Sequence, residues 1–84
     1  MYKPNECEYM KKIEAVYGAV GQRIRYIREV LGITQETLAK KVGLTRVSIN
    51  NIENGNQRLT LHTIENVANA LNTTPKHMLK GLWT

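Results

Sequence analysis

Apolar positions recur along the chain at helical spacing and show no strand-like alternation. Val20, Ile24, Ile27 and Leu31 fall four, three and four residues apart, which predicts one amphipathic helix with Gly32 as its C-terminal stop. Thr34 then stands as the cap of a second helix, Gln35 to Val42, with Leu38, Ala39 and Val42 turned inward and Gly43 ending it. Two residues later Thr45 caps a third, which buries Ile49 and Ile52 and stops at Asn54–Gly55. After a polar loop from Asn56 to Thr60 comes a fourth, Leu61 to Leu71, with Leu61, Ile64, Val67, Ala68 and Leu71 on one face. Thr74 followed by Pro75 opens a fifth, since proline's missing N–H costs nothing at the first helical position. Ahead of these, Tyr9, Ile13 and Val16 suggest a short amphipathic helix from Glu8 to Val16 that Gly18 would end. The chain reads as all-α: an N-terminal extension over 1–18, a five-helix domain over 19–80 and a tail over 81–84.

The link between the second and third helices is too short for them to lie side by side. Two short helices joined by a glycine-containing turn cross steeply, at roughly 90–120°, and the small Ala39 lets them approach. Ile49 and Ile52 then point back at Leu38 and Val42, and Thr45, Arg46, Val47, Ser48, Asn50, Asn51 and Asn54 face outward. An ordinary solvated helix would carry Lys, Glu and Ala there. Arg, Asn, Ser, Thr and a methyl-bearing residue are instead the groups that pair with or touch base edges in the major groove of DNA.

Charge strengthens this picture because it is uneven. The net charge is +5, yet residues 1–18 balance three lysines against three glutamates. Residues 19–58 carry seven arginines or lysines against three glutamates, so +4 belongs to the segment holding the polar third helix. That field suits a polyanion. Chain length and chemistry point away from catalysis. Eighty-four residues leave no room for a large enclosed cavity, and there is no nucleophile–base–orienter set, no Gly-rich phosphate loop and no paired carboxylates. His62 and His77 lack ligand-spaced neighbours, so neither a metal nor another cofactor is expected. Cys7 is the single cysteine, and no apolar run approaches a membrane span; the expected location is the cytoplasm.

The stretch "GITQETLAKKVGLTRVSINNIENG" resembles the Cro/phage-repressor (Xre-type) helix-turn-helix family. The resemblance rests on Gly32, Gln35, Ala39, Gly43, Ser48–Ile49 and the ending Ile52–Glu53–Asn54–Gly55, and it continues through "LTLHTIENVANALN" to cover about residues 19–80. It implies a repressor-like fold and double-stranded DNA as partner. Arg46, Val47, Ser48 and Asn51 fall where such proteins read bases. Gln35 and Thr45, at helix starts, and Asn54, Asn56 and Arg58, after the third helix, fall at phosphate positions. Arg28 and Glu53 fall where many members bury an ion pair between the first and third helices. Two departures stand out: Val47 cannot hydrogen-bond through its side chain, and Asn56 replaces a frequent basic residue. Arg23 and Arg25 suit a solvated helix face as well as they suit phosphate.

Such modules usually pair and read two half-sites about one helical turn apart. Met78, Leu79, Leu82 and Trp83 on the fifth helix are the candidates for a homodimer surface, with Tyr9, Ile13 and Val16 as a second set; the first group would equally close the chain's own core. The function implied is a sequence-specific, homodimeric transcriptional regulator, a repressor rather than an activator, with antitoxins and restriction–modification controllers as variants. The same fold also serves as a protein-interaction module bridging transcription factors, and non-specific nucleic-acid binding is a third reading.

Overall fold

The computed structural model describes residues 5–82. Five helices follow one another, α1 (Glu6–Val30), α2 (Gln35–Val42), α3 (Arg46–Glu53), α4 (Leu61–Ala70) and α5 (Pro75–Leu79), with no strand among the described residues. Four of the five begin in the same way. The hydroxyls of Thr34, Thr45, Thr60 and Thr74 each accept from the backbone N–H three residues on, at 3.0–3.1 Å. Each bond satisfies one of the orphan donors of a helix start, a contribution of about 1 kcal/mol.

The sequence places a helix end at Gly18, and the structure corrects it. α1 runs unbroken for 25 residues from a cap at Asn5, whose side chain accepts from the Glu8 N–H at 2.9 Å. Glycine costs a helix interior about 1 kcal/mol. The apolar stripe continues through that cost, because Val16 and Tyr17 pack on the same core as Val20, Ile24 and Ile27. At about 1.5 Å per residue this helix is roughly 37 Å long, which accounts for a molecule 44 Å long and only 23 × 20 Å across.

α1 also crosses the end of α3 at backbone range. A Cβ added at Gly21 would overlap the Ile52 carbonyl oxygen and lie 2.8 Å from that of Glu53. At Gly55, in the left-handed region at φ 74°, a Cβ would come within 2.8 Å of the Gly18 Cα. Only hydrogen side chains allow helix and loop to touch this closely.

The core joins all five helices. Val20 and Ile24 of α1, Leu38 and Ala39 of α2, Ile49 and Ile52 of α3, Ile64, Val67 and Ala68 of α4 and Met78 of α5 are buried together, with Leu59 and Leu71 from the connections. Full burial of an aliphatic side chain contributes about 1.5–3 kcal/mol. At this level one open alternative closes and one expectation fails. Met78 is fully buried, so it closes the chain's own core and is unavailable to a second copy. Leu61, placed on the buried face of the fourth helix, is 80% exposed, because it stands in the first turn beyond the reach of the core. Leu79 and Leu82 are half-buried against the core, and Trp83 lies outside the described residues.

Candidate nucleic-acid interface

Behind α3, three side chains form one polar unit, with Glu53 buried and Arg28 and Gln35 half-buried around it. The Glu53 carboxylate, its side chain 1% exposed, accepts from Arg28 Nε at 2.7 Å and Arg28 Nη2 at 3.0 Å. It also accepts from Gln35 Nε2 at 3.0 Å, while Arg28 Nη1 donates to the Ile33 carbonyl at 2.9 Å. Glu53 thereby ties α1 and the start of α2 to the end of α3, while Arg28 also holds the turn after α1. The hydrogen bonds that Arg28 donates to Glu53 raise the Arg28 pKa above its ordinary value and outweigh the opposing effect of burial. Charges this deep persist because the two-point geometry and the extra donors satisfy both groups. No buried side-chain nitrogen or oxygen among the described residues is left unpaired.

In front, α3 presents a face with few internal ties. Arg46 and Asn50 are exposed, as is Val47 at 61%, and Ser48 and Asn51 are half-buried. Arg46 makes no ion pair among the described residues. Thr45 is occupied locally: its hydroxyl accepts the Ser48 N–H and donates to Ser48 Oγ at 3.2 Å. Asn54, Asn56 and Arg58 are exposed beyond the other end of the helix, where the Asn56 N–H donates to the Asn51 carbonyl at 2.8 Å. Arg46 and Arg58 thus flank α3 at its two ends.

Gln35 stands differently from what its sequence position suggests. Its amide nitrogen is committed to Glu53 and, at 3.2 Å, to Asn50 Oδ1. The start of α2 borders a cleft whose lining includes Arg25, Thr34, Gln35, Glu36, Arg46 and Asn50, and backbone N–H groups at a helix start are the remaining donors for an anion there. Asn50 had an outward place but no role in the sequence reading, and Arg25 suited solvent and phosphate equally; both line this cleft. The signal was available for Asn50, which sits one turn from Arg46 on the same face.

Two other arginines have local work. Arg23 Nη1 donates to the carbonyls of Met78 at 2.9 Å and Lys80 at 2.7 Å, so it fastens the end of α5 to α1. Arg25 pairs with Glu29 at 2.8 Å, one turn on, and that hydrogen bond lowers the Glu29 pKa. The basic segment therefore spends Arg23 and Arg28 on structure, and its outward charge rests chiefly on Arg46, Arg58, Lys40 and Lys41. Elsewhere, Cys7 is exposed and free, His62 Nε2 faces Asn66 Nδ2 at 3.2 Å, and no cluster of potential metal ligands occurs among the described residues.

Two short helices in a tight turn, the second locked from behind and open in front, define a helix-turn-helix unit. The helix-turn-helix family model matches residues 24–77, and the chain belongs to that family, in its Cro/phage-repressor form. It is 38% identical over 60 residues to the control protein C.BamHI of Bacillus amyloliquefaciens, covering 70% of this chain and 74% of that one. The crystal structure of the restriction–modification controller C.AhdI from Aeromonas hydrophila matches with a TM-score of 0.69 at 33% identity, over 83% of this chain and 98% of that one. The P22 c2 repressor, solved with a synthetic operator, matches with a TM-score of 0.68 at 34% identity, over 74% of this chain and 94% of that one. Against several curated relatives named as transcriptional regulators, the chain spans about half their length.

Proposed function

We propose that this chain is a sequence-specific DNA-binding transcriptional regulator that works in the cytoplasm as a homodimeric repressor, with α3 lying in the major groove. The observation that carries the reading is the contrast between the two sides of α3. Arg28, Gln35 and Glu53 fix it from behind, while Arg46, Val47, Ser48 and Asn51 meet solvent in front. Arg46 is assigned to guanine through two donors, Asn51 to adenine and Val47 to a thymine methyl. Ser48 reads a base or the phosphate beside it. The first N–H groups of α2 at Gln35, together with Thr45, Asn54, Asn56 and Arg58, hold backbone phosphates on either side and set the register.

One module buries only about 600–1,000 Å² on DNA, so pairing two of them on a two-fold site supplies the affinity that a single copy lacks. Within this class, the restriction–modification controller variant has specific support, since the match to C.AhdI spans almost that whole protein. The bridging-module reading needs an apolar outer face on α3, and Val47 is the single large apolar side chain exposed there.

Selection of bound duplexes from a random library, at near-physiological salt, tests the proposal. Enrichment of a two-fold symmetric site with half-sites about one turn apart is the expected result. A folded protein that enriches no sequence would remove sequence reading.

A further inference from the structure

On a side of the molecule that α2 and α3 do not reach, an apolar groove runs between the N-terminal half of α1 and the start of α4. Ile13 and Val16 form one wall, Leu59 and Ile64 the floor, Leu79 the far side, and Leu61 stands at the rim. Ile13 is 41% exposed and Leu61 80%, although each could bury further apolar area against a partner. We propose that this groove is where two copies of the chain join, each inserting Leu61 into the groove of the other.

Three observations specify a second copy as the occupant. A cavity and a projecting apolar side chain lie on one face of one chain, which is the self-complementarity a two-fold interface requires. Charges repeat the pattern. Lys12 lies one turn before Val16, and Glu65 lies one turn after Leu61, each on the same side of its helix as that apolar residue. Both are exposed, and neither makes an ion pair among the described residues. Seating α4 of one copy along α1 of the other brings the two signs together twice. Finally, the segments that supply the groove carry little charge, residues 1–18 summing to zero and residues 59–84 to +1, whereas residues 19–58, which hold α3, carry +4 and would repel their own copy. Tyr26 and Val30, further along α1, are also exposed but are not among the residues that line the groove.

The assignment rests on the dimeric reading above and names its surface. Sedimentation equilibrium of the full chain tests both, with helicity and melting temperature of each variant measured alongside. Wild type should be dimeric, and Leu61→Glu, at a position that contributes little to the fold, should weaken the dimer about tenfold or more without loss of helicity. Val30→Glu should leave it intact. Glu65→Lys should weaken it, and the double variant Lys12→Glu with Glu65→Lys should recover it. A Leu61→Glu protein as dimeric as wild type overturns the groove while the dimeric reading stands. Dimer loss in Val30→Glu alone moves the interface to the other face of α1. A wild-type chain that stays monomeric at every concentration overturns both.

Discussion

At the scale of residues, the most consequential group is the Glu53 carboxylate, which holds two donors of Arg28 and one of Gln35. Arg28→Ala would leave that carboxylate buried without its counter-charge, and removing one partner of such a pair costs about 3–5 kcal/mol. Chemical denaturation should show a loss of that size, whereas replacing Arg28 and Glu53 together with apolar residues should cost less than either single change. The two α1 glycines make an opposed pair. A Cβ at Gly18 meets nothing within 4 Å, so Gly18→Ala should raise stability by roughly 0.5–1 kcal/mol through helix propensity. At Gly21 the same methyl meets the Ile52 and Glu53 carbonyls, so Gly21→Ala should lower the melting temperature. Equal effects at both positions would contradict the close crossing of α1 and α3.

At the scale of elements, what sequence could convey was what local chemistry determines. Threonine caps at 34, 45 and 74 announce helix starts in any context, and the stripes of α1 to α4 follow from period alone. Thr60 caps α4 by the same bond but sits at the end of a polar run, where it reads as loop. Gly18 has a breaker's identity, and tertiary packing of Val16, Tyr17 and Val20 overrides it. Leu61 has a core residue's identity, and its place one turn ahead of Ile64 leaves it outside. Arg28 and Glu53 are 25 residues apart, so no spacing rule joins them; only the family resemblance suggested the pair. The roles of Arg46, Val47, Ser48 and Asn51 toward bases rest on chemistry and exposure, since a free surface carries no internal record of its ligand. Thr45→Ala tests the element that presents them. Loss of the cap should cost about 1 kcal/mol in thermal unfolding and weaken DNA binding through fraying of the first turn of α3.

At the scale of the molecule, the chain divides its surface by charge. Arg46, Lys40 and Lys41 are exposed on α2 and α3, whereas the groove between α1 and α4 is lined by apolar residues and meets the Asn56–Arg58 loop at Ile13 and Tyr17. A polyanion along α3 and a second copy in the groove engage different side chains, so the two can be bound together. Phosphate contacts make DNA affinity fall steeply with salt, with a slope set by the number of phosphates neutralised. Arg58→Ala should reduce that slope by about one while leaving base preference unchanged, as salt titrations on two different duplexes would show. The central claim is that α3 reads bases, and its most direct test is to repeat the duplex selection with Arg46→Ala. Preference should relax at one base pair of each half-site, with about 1–3 kcal/mol lost on the best wild-type sequence. An unchanged preference, with affinity reduced equally on every sequence, would contradict base reading by Arg46 and leave it a phosphate contact.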